Sequence, residues 1–257
     1  KMDGLNHSLW VERYRPNKLK YYIGNEHLKS KVKGYIENED IPHLLLYGKA
    51  GTGKTTLAKI IVNNIDCDYL YINASDENSV DNVRFKIRAF ASTVGFKDLK
   101  VVILDECDYL TPNAQAALRN VMETFSKHCR FILTCNYVER VIDPIQSRCQ
   151  PYKITPPKKS EVAKHLVNIL DVEKVIYELD AVATIVTAGY PDIRRVINSA
   201  QRQIIDNKLK IDVESIIQND YKLQLLDLLS SGAKLNDIRK LIANNSISDY
   251  SELYKLL

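Results

Sequence analysis

Short apolar runs alternate with amphipathic stretches over roughly the first 155 residues. Leu44 to Tyr47 form such a run directly before a glycine-rich loop, and Thr55 to Asn64 then carry Leu57, Ile60 and Ile61 at helical spacing, so a strand, a loop and a helix are expected in that order. Further runs at Tyr69–Ile72, Val101–Leu104 and Phe131–Thr134 are each separated by a segment with helical periodicity. Strands that alternate with helices predict an α/β fold, a parallel sheet with helices on both faces. Pro156-Pro157 with Lys158-Lys159 interrupts this rhythm, and beyond it nothing reads as a convincing strand. Ser160 opens a helix with Glu161 in its first turn. The expected organisation is an α/β domain over 1–155, a small helical domain over 156–219 and the start of another helical unit over 220–257.

The loop Gly48-Lys49-Ala50-Gly51-Thr52-Gly53-Lys54-Thr55 fits the pattern GxxxxGK[ST]. Glycines are needed there because the backbone must wrap an anion with its N–H groups, while the following helix directs its positive end at the phosphates. Gly48, Gly51, Thr52, Gly53, Lys54, Thr55 and Thr56 are therefore expected to bind nucleotide, with Lys54 on the β- and γ-phosphates and Thr55 a ligand of Mg²⁺. Val101 to Leu104 deliver Asp105 and Glu106 at the carboxyl edge of the sheet, where α/β sites form. Asp105 suits Mg²⁺ through water and Glu106 suits polarising an attacking water. The run Phe131–Cys135 ends in Asn136, whose amide could contact the γ-phosphate and that water. Arg148 and Arg194 each offer a planar fork of donors to transferring charge, and periodicity leaves open whether either reaches its own nucleotide or a neighbour's.

Composition narrows the setting. No apolar run approaches the roughly 18 residues of a membrane span, and Cys67, Cys107, Cys129, Cys135 and Cys149 are an odd number without a CxxC pair, which predicts a reducing, intracellular environment. A net charge of +4 is compatible with a polyanionic partner. The first residue, Lys1, and the abrupt end of the last helical pattern at Leu257 suggest a processed, tagged or incompletely ordered chain.

Taken together these residues resemble the AAA+ ATPase subunits of sliding-clamp loaders, especially replication factor C small subunits and their tailed-phage counterparts. Trp10-Val11-Glu12-Arg13-Tyr14-Arg15-Pro16 is similar to the family's opening motif, which surrounds the adenine, so the resemblance implies nucleotide contacts from Val11, Glu12, Arg13 and Tyr14, with Ile23 packing nearby. Asn73-Ala74-Ser75-Asp76, Val83-Arg84, Ala114 to Arg119 and Met122-Glu123 are similarly placed family segments. The resemblance further assigns Arg148, in Ser147-Arg148-Cys149, as a finger acting in trans on the adjacent subunit's ATP, and Arg194 as a sensor acting in cis from a helical lid. It places Arg84 and Arg88 on the template phosphates and Phe90 and Phe96 on the clamp. Departures are visible: Asp105-Glu106-Cys107-Asp108 stands where the family commonly has Asp-Glu-Ala-Asp, Asn78 replaces a frequent basic residue, and Asn120 replaces the second arginine of a Leu-Arg-Arg run. Leu225 to Tyr254 resemble the beginning of a collar domain that should continue past Leu257.

The function implied is that of an ATPase, with ATP and Mg²⁺ as cofactors, working in a ring of clamp-loader subunits, pentameric in this family, with a sliding clamp and primer–template DNA as partners, at the replisome and without a membrane. Two rival readings are another AAA+ DNA-processing ATPase, of Holliday-junction helicase or origin-initiator type, and a non-hydrolysing structural subunit of the same ring. Intact Lys54, Asp105, Glu106 and Arg148 speak against the last.

Overall fold

The computed structural model describes residues 9–76 and 80–211. The contacts divide the chain into two compact units, one of Lys1–Val162 with Pro191–Arg194 and the other of Ala163–Tyr190 with Arg195–Leu257. The first contains α1 (Trp10–Arg13), α2 (Glu26–Asn38), β1 (Leu44–Tyr47), α3 (Lys54–Asn64), β2 (Cys67–Asn73), α4 (Val80–Ser92), β3 (Leu99–Asp105), α5 (Pro112–Thr124), β4 (Cys129–Cys135), α6 (Asp143–Gln146) and β5 (Gln150–Lys153). The five strands form one parallel sheet in the order β2-β3-β4-β1-β5.

Both faces of this sheet are covered, which is why its central strands read as unbroken apolar runs rather than as alternations. Leu44, Leu46, Val101, Ile103 and Ile132 pack with Leu28 and Val32 of α2 and with Leu57, Ile60 and Ile61 of α3. Their neighbours in sequence, Leu45, Val102, Leu104, Phe131 and Leu133, pack on the opposite face with Val83 and Ile87 of α4, Leu118 and Val121 of α5, and Ile145 of α6. The period of two along each strand thus assigns each residue to one of two cores. Helix α5 starts where its residues favour it, with the Thr111 side chain accepting from the Ala114 N–H and Pro112 in the first turn.

One strand of this sheet carries no apolar signature. β5 is Gln-Pro-Tyr-Lys and mostly exposed, because it is an edge strand. Gln150 N–H donates to His43 O and Ile154 N–H to Tyr47 O, so the even positions face β1 and Pro151, which lacks a donor, is turned to the free edge where none is needed.

In the second unit, α7 (Lys159–Val172), which starts at the end of the first, is followed by α8 (Leu179–Gly189) and α9 (Ile193–Arg202). Lys158 N–H donates to the Glu161 carboxylate at 2.8 Å, half of a capping box. Contrary to the expectation of helices alone, two short strands, β6 (Ile204–Ile205) and β7 (Lys208–Leu209), pair antiparallel around Asp206 and Asn207, both at positive φ. Asp and Asn tolerate that conformation, and strands of two residues are too short to show alternation. Asn78 and the collar-like segment from residue 220 onward lie outside the described residues.

Candidate functional site

The carboxyl ends of β1, β3 and β4 bring the sequence-predicted groups together. The glycine-rich loop leaves β1 and enters α3, whose N-cap is Gly53 at φ 99°. Gly51 also has positive φ, at 72°, and a Cβ there would fall 1.8 Å from an oxygen of Asp192, so only glycine fits. The Thr52 hydroxyl donates to Lys49 O within the loop at 2.8 Å. Thr55 and Thr56 follow in the first turn of α3.

Lys54 is 8% exposed and uses all three of its ammonium donors, at 2.8 Å each, on Gly48 O, Lys49 O and Asn136 Oδ1. Burial lowers its pKa, with the nearby Arg194 charge acting in the same direction and Asp105 opposing both. An anionic ligand in the loop would supply the charge partner this lysine lacks. The loop's glycine backbone, the helix start and the buried cation together fit a polyphosphate.

Asp105, buried at the end of β3, accepts from three hydroxyls. Thr55 Oγ1 lies 2.8 and 2.9 Å from its two oxygens, Tyr71 Oη 2.9 Å from Oδ2 and Thr134 Oγ1 2.5 Å from Oδ1. Thr134 also accepts the Glu106 N–H at 3.0 Å, which ties the two acidic residues to β4. Thr55 and Asp105 are an all-oxygen pair already in contact, a donor set suited to Mg²⁺. Glu106 holds φ 56° and ψ 42°, a left-handed conformation uncommon for a glutamate. Asn136 has its side chain on Lys54 and its backbone on Asp108: the N–H groups of Asn136 and Tyr137 both donate to Asp108 Oδ2 at 3.1 Å.

Thr134, Tyr71 and Asp108 were not among the residues singled out from sequence. Asp108 was reachable, since a buried carboxylate at the close of Asp105-Glu106-Cys107-Asp108 needs a partner. Tyr71 and Thr134 act through neighbouring strands, and no local spacing marks them.

The remaining residues are distributed as follows. Trp10 and Tyr14 are buried with their rings edge-on, 6.4 Å between centroids. Val11, Arg13 and Ile23 are half-buried, and the exposed Glu12 pairs with Arg15 at 2.5 Å. Ile193 N–H donates to Gly51 O at 3.1 Å, and Arg194 Nε lies 4.0 Å from Asp192. Arg148 is held on α5 and α6, donating to Pro144 O at 2.7 Å and to the Glu123 carboxylate. On α4, Arg84 and Arg88 are exposed on consecutive turns, with Phe85 beside them 74% exposed. Phe96 is fully exposed on the loop after α4, whereas Phe90 is half-buried against the core with the Lys100 ammonium 5.2 Å from its ring centre. Lys100 also donates to the carbonyls of Phe90 and Thr93 at the end of α4, and Asp68 accepts the N–H groups of Phe96 and Lys97 at 2.8 and 3.1 Å. The exposed loop is thus pinned from both sides.

All five cysteines are free thiols. Burial pushes Cys67 and Cys129 up to about 11 and Cys149 to about 12, and a hydrogen bond with Cys135 together with burial raises Cys107. Cys67, Cys107, Cys129 and Cys149 therefore stay protonated and inert. No helix among the described residues is long and apolar enough to cross a membrane.

Residues 44–156 match the ATPase family associated with various cellular activities, AAA. The chain is 40% identical over 220 residues to the replication factor C small subunit of Archaeoglobus fulgidus, covering 83% of this chain and 69% of that one. It is 36% identical over 255 residues to the replication factor C small subunit of Natronomonas pharaonis, covering 97% and 75%. Among solved structures, a mutant of Thermotoga maritima RuvB superposes with a TM-score of 0.68 at 17% identity, covering 91% of this chain and 86% of that one, a likeness of fold.

Proposed function

The chain belongs to the AAA ATPases and, within them, to the replication factor C small subunits, and from that premise we propose that it is an ATP-driven subunit that loads a sliding clamp onto primer–template DNA. The observation that carries this reading is the set Lys54, Thr55, Asp105, Glu106 and Asn136 gathered at one edge of the sheet, with Lys54 bonded to Asn136, Thr55 bonded to Asp105 and Glu106 tied to Asp105 through Thr134. A non-hydrolysing subunit would have no need of it. The rival reading as another AAA+ DNA-processing ATPase has in its favour only a likeness of fold at 17% identity.

The residues take the following roles in this reading. The glycine-rich loop and the first turn of α3 bind the phosphates. Lys54 exchanges its carbonyl partners for them, and Asn136, held from behind by Asp108, stays aimed at the same place. Thr55 and Asp105 would hold Mg²⁺, which would supply neutralisation of the charge on the transferring phosphoryl group. Glu106, fixed by its N–H bond to Thr134, accepts hydrogen bonding from the attacking water. Trp10 to Tyr14 and Ile23 border the adenine, Arg194 acts on its own nucleotide, and Arg148 reaches the neighbour's.

The partner contacts are assigned on exposure. Arg84 and Arg88 track DNA phosphates, and Phe96 anchors the clamp. Phe90, being half-buried, supports the docking loop from within. Residues 156–219 serve as the helical lid and 220–257 as the start of the collar that closes a pentameric ring at the replisome. The test is an ATPase assay of the purified full-length subunits: turnover should rise when primed DNA and clamp are added together. Stimulation by DNA with no further effect of clamp would favour the rival AAA+ reading, and absence of turnover under every condition the structural one.

A further inference from the structure

Tyr22 precedes α2 and lies in the core cluster beneath α3, 4% exposed. Its ring rests on the backbone of Gly53, where an added Cβ would fall 3.0 Å from Cε2 and 3.1 Å from the hydroxyl oxygen. Gly53 is the N-cap of α3 and the residue immediately before Lys54. The Tyr22 hydroxyl therefore sits at the helix terminus built for anions.

That hydroxyl has no hydrogen-bond partner. Among the described residues two other buried side-chain atoms share this condition, Asp108 Oδ1 and Arg119 Nε, but Asp108 engages its second oxygen and Arg119 donates through NH2 to Asn120. Tyr22 leaves its single polar atom unpaired. Burying a donor without an acceptor is costly, and phenylalanine would fill the same volume without that cost. Burial also raises the ionisation of the phenol well above the ordinary tyrosine range, so the group stays a neutral donor. A neutral donor beside an anion nest has an obvious acceptor chemistry, since phosphate oxygens take short, charge-assisted hydrogen bonds.

We propose that Tyr22 is a nucleotide-binding residue whose hydroxyl donates to an oxygen of the α- or β-phosphate seated at the start of α3. The inference rests on the nucleotide-binding reading above and adds to it a contact outside the glycine-rich loop. The hydroxyl enters the bond without giving up another partner, so the full gain appears in binding. Lys54 spans the β- and γ-phosphates and Asn136 serves the γ end, whereas the Tyr22 contact lies on phosphates that ATP and ADP share, so both nucleotides should benefit alike, and the chemical step should not. Uniform binding of this kind shifts affinity and leaves turnover at saturation unchanged.

The test is Tyr22→Phe, which keeps the ring and removes the donor. ADP and a non-hydrolysable ATP analogue are titrated by equilibrium binding, and thermal unfolding is measured on the nucleotide-free protein. Both nucleotides should bind about tenfold more weakly, the size expected for one hydrogen bond to a charged group. The nucleotide-free Tm should stay level or rise, because an unsatisfied hydroxyl has been removed. Unchanged ADP affinity would overturn the proposal and leave Tyr22 as packing. A weaker affinity accompanied by a lower nucleotide-free Tm would overturn it as well, since the hydroxyl would then have had a structural partner. An altered preference for ADP over GDP would move the contact to the base and sink the phosphate assignment. Lys54→Ala is the control: binding by wild type but not by Lys54→Ala upholds the nucleotide site whatever Tyr22→Phe does, and no binding by wild type overturns both.

Discussion

The nucleotide site and the surface proposed for partners are built on opposite plans. At the carboxyl edge of β3 and β4, Lys54, Asp105 and Asp108 are buried and each holds partners from the same chain. On α4 and the loop after it, Arg84, Phe85, Arg88 and Phe96 are exposed, and their surroundings fix the backbone that carries them rather than the side chains themselves. Arg148 stands between the two plans, one-third exposed and paired to Glu123. Chemistry that depends on positions accurate to a fraction of an ångström is organised before the ligand arrives. Recognition completed by another molecule leaves its energetic groups at the surface, where large apolar side chains and basic forks have most to gain on being covered.

The comparison can be broken at several points, and Arg148 should give the largest effect. If it completes a neighbour's site, Arg148→Ala should lower turnover of the assembled ring by about 10³ to 10⁵, as arginine fingers do. Rings mixing Arg148→Ala with Lys54→Ala subunits should regain part of the activity, because some interfaces pair an intact loop with an intact arginine. No recovery, in rings shown by mass to contain both variants, would place Arg148 in cis and dissolve its intermediate status.

Within the buried plan, Glu106→Gln should lower turnover by about 10² to 10⁴ with ATP affinity unchanged, as loss of a general base does. Lys54→Ala, by contrast, should abolish binding, so titration and single-turnover measurements on the pair separate the two roles. Smaller again is Asp108→Ala, which removes the carboxylate that accepts the Asn136 and Tyr137 N–H groups. Displacing Asn136 should cost about 10² in turnover. ADP affinity should scarcely move, and a parallel loss of ADP binding would show that Asp108 shapes the whole pocket instead.

On the exposed plan, Phe96→Ala should weaken clamp binding by about 30-fold, the 2 kcal/mol typical of an aromatic anchor, while unfolding free energy changes by no more than about 0.5 kcal/mol. Retained clamp binding in a pull-down series would remove Phe96 from the interface. The mildest expectation concerns Arg84→Ala with Arg88→Ala. DNA binding should weaken about equally for all sequences, and the slope of log affinity against log salt should become shallower by about 2. A slope identical to wild type would make that face a solvated one.

The sequence was most informative wherever function demands a fixed residue at a fixed spacing. A loop that wraps phosphate needs glycines and a lysine in a set order, so Gly48 to Thr55 were legible without coordinates. A strand buried on both faces must be apolar throughout, so β1, β3 and β4 announced themselves, and Asp105, Glu106 and Asn136 were located as the residues that follow such runs. Family membership followed from motifs of the same local kind.

What only the tertiary structure decided are relations between segments far apart in the chain. β5 escaped notice because an edge strand has no second layer to bury against and therefore no apolar signature. Tyr71 and Thr134 reach Asp105 only because β2, β3 and β4 lie side by side in register, and Glu123 holds Arg148 across a sequence separation of 25. The unequal exposure of Phe90 and Phe96 likewise depends on where Lys100 and Asp68 come to rest. Spacing along a chain encodes which face of a helix or strand a residue occupies, but a hydrogen bond between strands depends on register and burial on what packs above, and neither is a local property.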